Sequence, residues 1–198
     1  MSPSPAAAPT GVNAVFCVLH VCTGNICRSP MSERILDGLT GDEVYNHGVG
    51  TSDFHQGESM HANSRLELID RGFEPDGHRA RRIEREHVES SDLILVATAG
   101  HLEYIAERFP EALDRTFPVR QFGRIAADAL QRRTADPAGG DLQTRAKALV
   151  AEAAQRRGEY PEEDLADPWG LGRASYTDIA DQLTAALEPV AEALEESR

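Results

Sequence analysis

The chain has 198 residues with 40% hydrophobic and 27% charged side chains, a size and balance that suit one globular domain. A formal net charge of −13 argues against nucleic acid or an anionic membrane as the main partner. Three cysteines are too few, and an odd number, for a disulfide framework.

Met1–Thr10 is rich in Ser, Pro and Ala without a basic start or apolar stretch, so residues 1–12 read as a disordered leader before a single domain over 13–198. Ala14–Val21 reads as a buried, central, parallel strand. The string Cys22-Thr23-Gly24-Asn25-Ile26-Cys27-Arg28-Ser29-Pro30 follows it. Met31, Ile35 and Leu39 then recur at helical spacing, with Ser29 expected as the N-cap and Pro30 at the first helical position. A loop between strand and helix turns its N–H groups toward one point beside the positive end of the helix dipole, which makes an anion cradle.

Each side chain of the string has an expected task. Cys22 sits at the mouth, where donors and positive potential favour a thiolate. Arg28 returns a planar fork to two oxygens of a phosphate. Gly24 allows a strained backbone turn, and Asn25 accepts φ > 0 and bonds within the loop. Ser29 stabilises the thiolate. This set suggests attack of sulfur on phosphorus and then hydrolysis. No CxxC or His-x3-His pair completes a metal set, no GxxxxGK[ST] nucleotide loop occurs, and no metal or cofactor is expected.

Further along, Glu43–Val49 reads as a strand, Gly50–Ser59 as a loop with Phe54 and His55, and Ala62, Leu66 and Ile69 as the apolar face of a helix ending at Gly72. A short helix is expected over Ile83–Val88, a strand over Asp92–Ala97, a helix capped by Thr98 that carries Leu102 and Ile105, and a strand over Thr116–Val119. Within 121–164 a helix over Phe122–Leu130 precedes a loop with Asp136-Pro137 and Gly139-Gly140. A second helix then turns Leu142, Ala146, Leu149, Val150 and Ala153 inward. The last helix starts near Ala174, and Pro189 should kink or end it. The alternation predicts an α/β three-layer sandwich around a mostly parallel, four-stranded sheet, with the phosphate-binding loop after the first strand. His20 is expected buried in its strand and Cys17 to be a small core residue. Arg79, Arg81, Arg82 and Arg85 are either a solvated turn or a help to the cradle at its rim.

CTGNICRSP so close to the start, after an apolar strand, resembles the low-molecular-weight protein tyrosine phosphatases of bacterial type. Gly50-Thr51-Ser52-Asp53-Phe54-His55, Gly77-His78-Arg79-Ala80-Arg81, Asp92-Leu93-Ile94-Leu95 and Asp167-Pro168 match in the same order. The resemblance implies a cysteine-dependent phosphatase acting on phosphotyrosine proteins or aryl phosphates through a phosphocysteine. Cys22 would be the nucleophile, Arg28 and residues 23–27 and 29 the phosphate loop, and Asp167 the general acid rather than Asp136. It implies that His78 supports the loop and that Phe54 lines the pocket, although Phe54 reads equally as a core residue. Trp169 would be the second aromatic wall. Gly48 stands where a Ser is common and Thr98 where an Asp is, while 121–164 is longer than the family's usual crossing and reads as an insertion over a sheet edge or a pocket rim. The same scaffold serves arsenate reductases, so a small-molecule thiol or redoxin reductant stays open as a partner. A working thiolate points to the cytoplasm.

Overall fold

A computed structural model describes residues 15–132 and 141–195. The expected leader and the Asp136-Pro137 and Gly139-Gly140 loop lie outside the described residues. Strand β1 (Phe16–Cys22) leads into helix α1 (Arg28–Leu39), then β2 (Val44–Gly50), α2 (Ala62–Asp70) and α3 (Arg85–Glu89). Next come β3 (Leu93–Val96), α4 (Ala99–Arg108), a 3-10 segment (Pro110–Arg115), β4 (Thr116–Pro118), α5 (Val119–Arg132), α6 (Leu142–Arg156) and α7 (Arg173–Glu195).

The four strands pair in the order β2-β1-β3-β4, and every pairing is parallel. Crossover helices cover both faces, which is why β1 and β3 read as unbroken apolar runs rather than alternating ones. Strand side chains alternate between the two faces. Phe16, Val18, Leu93, Leu95 and Phe117 pack into one core with residues of α1, α5, α6 and α7. Leu19, Val21, Ile94 and Val96 pack into the other with Val88, Leu102 and Ile105. The register sets Cys22 beside Gly50 and Val21 beside Val96, so the chain leaves β1 at the carboxyl edge of a central strand.

Several elements depart from expectation. Helix α1 opens at Arg28 with Cys27 at its cap position, and no side chain caps it. Ser29 lies inside the first turn, its hydroxyl engaged by the loop instead. In α2 the expected face is wrong: Leu66 and Ile69 are exposed, while Ser64, Glu67 and Leu68 are buried. Glu67 tolerates burial because Arg71, Arg173 and Thr177 satisfy its carboxylate. Helix α7 does not end at Pro189 but runs on to Glu195, held by buried Leu187, Val190, Ala191 and Leu194. Cys17 is half-buried rather than in the core.

Helix α6 buries Ala146, Leu149, Val150 and Ala153. It packs on α5, α7 and the 3-10 segment, with Lys147 Nζ 3.3 Å from Asp92 just ahead of β3. Arg157, directly after it, donates to the Thr116 carbonyl of edge strand β4. The pocket-rim reading of this helix fails, since none of Leu142–Arg156 lines the cavity at Cys22. Among the described residues no helix is long and apolar enough to cross a membrane.

Candidate active site

The loop from Cys22 to Arg28 is held from beneath and behind. Thr51 and Ser52 donate backbone N–H bonds to the carbonyls of Cys22 (2.9 Å) and Thr23 (2.9 Å). Gly50 is required by close approach, because a Cβ there would meet the Thr23 carbonyl oxygen at 2.6 Å. Asn25 has φ +52°, the one positive φ at a non-glycine among the described residues. Its side chain pins that turn: Nδ2 donates to Ser29 Oγ (2.8 Å), and Oδ1 accepts from the Arg81 backbone (3.0 Å). Gly24, expected to supply the strained turn, has no positive φ. It is small because the His55 ring lies against it, with Cδ2 2.8 Å from where a Cβ would stand.

Behind the loop, His78 Nε2 donates to the Asn25 carbonyl at 2.7 Å. Burial above all holds its pKa down at about 4, so the ring is neutral near pH 7. His78 Nδ1 is 4.0 Å from Glu33 Oε2. Burial pushes the Glu33 carboxyl up to about 7. Gly48 leaves that carboxyl its space, since a Cβ there would meet Glu33 Oε2 at 2.6 Å. Of the four arginines considered for the rim, none lines the pocket. Arg81 instead braces the loop from behind through Asn25 and the Gly48 carbonyl, while Arg82 and Arg85 pair with Asp53 and Glu111.

Cys22 Sγ lies 3.0 Å from Ser29 Oγ. The Arg28 guanidinium is almost fully buried. Its Nη1 donates to the Leu165 carbonyl (3.0 Å), and its Nη2 to Asp167 Oδ2 (2.8 Å) and, weakly, to Thr23 Oγ1 (3.4 Å). Its Nε, also buried, has no hydrogen-bond partner among the described residues. Asp167 is delivered from a distant part of the chain by a backbone bond from Leu165 N–H to the Ala97 carbonyl (2.9 Å) at the end of β3. Asp164 adds a second anchor by accepting the Ala99 N–H at 2.7 Å. Asp167 Oδ1 accepts from the Trp169 backbone at 3.2 Å, which sets the turn that carries the indole.

These groups share one cavity of about 300 Å³, lined by Cys22, Arg28, Asp167, Phe54, Trp169 and Ile26 with their loop neighbours. Phe54 is 77% exposed and Trp169 57% exposed, so neither is a core residue. Two residues had no role expected from the sequence: His55, which lines the cavity, and His101, which stands behind its Thr23. His55 sits edge-to-face with Phe54 at 4.8 Å, 6.2 Å from Trp169, with Nδ1 2.8 Å from Glu58. His101 Nε2 lies 3.0 Å from Thr23 Oγ1. The signal for the first was its place beside Phe54 in a recognised string; for the second, only its position three residues after a helix cap. Cys27 also lines the cavity, its thiol pushed up to about 11 by burial and 3.7 Å from the Tyr176 hydroxyl. No cluster of three or more His, Cys, Asp or Glu side chains suited to a metal ion occurs among the described residues.

Residues 17–155 match the sequence model of the low molecular weight phosphotyrosine protein phosphatases. A protein-arginine-phosphatase of Geobacillus stearothermophilus is 37% identical over 128 residues, 64% of this chain and 81% of that protein. A low molecular weight protein-tyrosine-phosphatase of Streptomyces coelicolor is 32% identical over 176 residues, 85% and 87% of the two chains. The solved arginine phosphatase of G. stearothermophilus superposes with a TM-score of 0.67 at 28% identity, over 89% of this chain and 91% of that one. With its thiol at the end of a central parallel strand, its arginine one loop away and its sequence matching over most of its length, the chain belongs to the low molecular weight phosphotyrosine protein phosphatase family of cysteine-dependent hydrolases.

Proposed function

We propose that the protein hydrolyses phosphotyrosine in proteins, and simple aryl phosphates, through a phosphocysteine. The observation that carries this reading is the convergence of Cys22, Arg28 and Asp167 on one cavity whose outer walls are Phe54 and Trp169. The phosphate's oxygens take the loop N–H groups and the Arg28 fork, including the unpartnered Nε. Cys22 attacks phosphorus as a thiolate, the bond to the tyrosyl oxygen breaks, and Asp167 protonates that oxygen. In the second half a water attacks phosphorus, Asp167 takes its proton, and the sulfur leaves with help from the Ser29 hydroxyl. The family match ends before Asp167, so that assignment rests on the carboxylate's position at the pocket and on Arg28.

Phosphoarginine is the second reading, because one close relative bears the name protein-arginine-phosphatase. A guanidinium leaving group needs carboxylate partners. Among the described residues Asp167 is the sole carboxylate lining this cavity, and it is already held by Arg28, whereas Ile26, Phe54 and Trp169 offer apolar surface for a phenyl ring. A cytoplasmic location is part of this reading, because a working Cys22 thiolate needs a reducing compartment. A thiol or redoxin enters only to restore an oxidised Cys22, or as co-substrate were arsenate the substrate. Turnover of matched phosphotyrosyl and phosphoarginyl peptides decides the matter: kcat/KM at least about tenfold higher for the former is expected. The reverse preference transfers the function to the second reading, and hydrolysis of either by Cys22→Ser rejects the covalent route.

A further inference from the structure

We propose that His101 is a positioning residue for the phosphate fork, acting on Arg28 through the hydroxyl of Thr23. The proposal rests on the reading of Arg28 as the phosphate-gripping side chain.

Four groups form a directed chain. An arginine only donates, so Thr23 Oγ1 accepts from Arg28 Nη2 and turns its own proton outward. The hydroxyl donates that proton to His101 Nε2, 3.0 Å from Oγ1. With Nε2 as acceptor, the neutral ring carries its proton on Nδ1, which lies 2.7 Å from Thr98 Oγ1. Thr98 Oγ1 also accepts the His101 backbone N–H at 3.3 Å, so the residue that caps α4 fixes the ring's outer end. Burial, and then the charge of Arg28, hold the imidazole down at about 4, which keeps this direction of donation at physiological pH. The chain joins the loop after β1 to the turn after β3, and so ties the two central strands together above their carboxyl ends.

The contact from Arg28 to Thr23 is long, and a threonine hydroxyl is a free rotor unless something takes its proton. His101 does that and aims the lone pair at the guanidinium. The need arises during turnover. Asp167 shares Nη2 with Thr23 in the resting arrangement. Once Asp167 carries a proton for the leaving group it no longer holds Arg28 by charge. The Leu165 carbonyl and Thr23 then remain as the holds on the fork's plane.

The test compares wild type with His101→Phe, His101→Gln, Thr23→Val and the double variant His101→Phe/Thr23→Val. Two quantities are read: the Kd of inorganic phosphate by calorimetry, and kcat and KM on an aryl phosphate. His101→Phe should weaken phosphate binding and lower kcat/KM by about tenfold, the equivalent of ~1.4 kcal/mol. Thr23→Val should do the same, and the double variant should be no worse than either single one. His101→Gln, whose amide oxygen reaches the place of Nε2, should recover most of the loss. Additive losses in the double variant, or phosphate affinity unchanged in both His101→Phe and Thr23→Val, would overturn the proposal. If His101→Phe does not fold, Thr23→Val against His101→Gln still decides: a large loss in the first with near wild-type binding in the second supports the relay, and equal behaviour rejects it. Phosphate binding needs no turnover, so a wild-type protein inactive on every aryl phosphate would refute the substrate reading while leaving the relay measurable.

Discussion

Asp167 and Arg28 form an ion pair of 2.8 Å at the mouth of the cavity, with the guanidinium buried and the carboxylate half exposed. The two groups assigned to opposite ends of the scissile bond therefore hold each other before a substrate arrives. On the proposed mechanism an incoming phosphate competes for the same fork and frees the carboxylate as it binds.

Removing that carboxylate should matter in proportion to how poorly the leaving group departs. Asp167→Ala is expected to slow phosphotyrosine hydrolysis by about 10²–10⁴-fold. The loss should be smaller on nitrophenyl phosphate, and the dependence of rate on leaving-group pKa should steepen. Asp136→Ala should leave both rates nearly unchanged. A steeper dependence in Asp136→Ala and not in Asp167→Ala would reverse the assignment.

Arg28→Lys should lose about 100-fold or more in kcat/KM, because a single ammonium cannot present two parallel donors or reproduce the bond to the Leu165 carbonyl together with the phosphate contact. A lysine enzyme within about fivefold of wild type would show that charge alone suffices.

The aromatic walls should act on binding more than on chemistry. Phe54→Ala and Trp169→Ala should each raise KM for a phosphotyrosyl peptide, by roughly the two- to tenfold expected of an exposed ring contact. Their kcat should change little. An unchanged KM in both variants would mean that the substrate's ring lies elsewhere.

Stability should fall on mild acidification. His20, His47, His78 and His101 are held down at about 4, 3, 4 and 4, each chiefly by burial. Between the ordinary histidine value and those values the unfolded chain binds more protons, so this contribution is complete above about pH 6.5 and is lost as pH falls toward 4. Glu33, raised to about 7, works the other way: its burial costs stability increasingly as pH rises from its ordinary value to about 7. Four groups outweigh one between pH 4.5 and 6.5, so Tm should drop across that interval. Glu33→Gln should stabilise more at pH 8 than at pH 5, and thermal melts across this range check both signs.

Peroxide should strike Cys22 before Cys27, because burial keeps the Cys27 thiol protonated. A Cys22 sulfenic acid can condense with the Cys27 thiol, forming the disulfide and releasing water. Recovery of activity on adding reductant should then be poorer in Cys27→Ser than in wild type; equal recovery removes Cys27 from that role.

The sheet and the loop were legible because they depend on local pattern. The Val15–Val21 run, the loop string and the helical spacing of Met31 and Ile35 each report a contact that the neighbouring sequence determines. The face of α2 was not legible, since Leu66 and Ile69 look like core residues until Arg71 and Arg173 arrive to neutralise Glu67 on the opposite side. Ser29 misled for a similar reason: a serine before a helix reads as a cap, whereas the thiol and Asn25 claim its hydroxyl. Gly24 looked like a turn residue, and the reason for its size is a histidine ring 31 positions on. His55 and His101 act across the fold, on Gly24 and Thr23, and the local signals they carry, a place beside Phe54 and a place after a helix cap, do not name those partners.

The bond from Leu165 N–H to the Ala97 carbonyl fastens the approach to Asp167 just past the end of β3 rather than leaving it the tail of a long excursion. The excursion before it is fastened to that approach as well, since Arg120 and Arg124 of α5 pair with Glu163. The Asp167 carboxylate thus takes its position from two anchors at the end of β3, Leu165 and Asp164, together with α5, rather than from the length of chain before it.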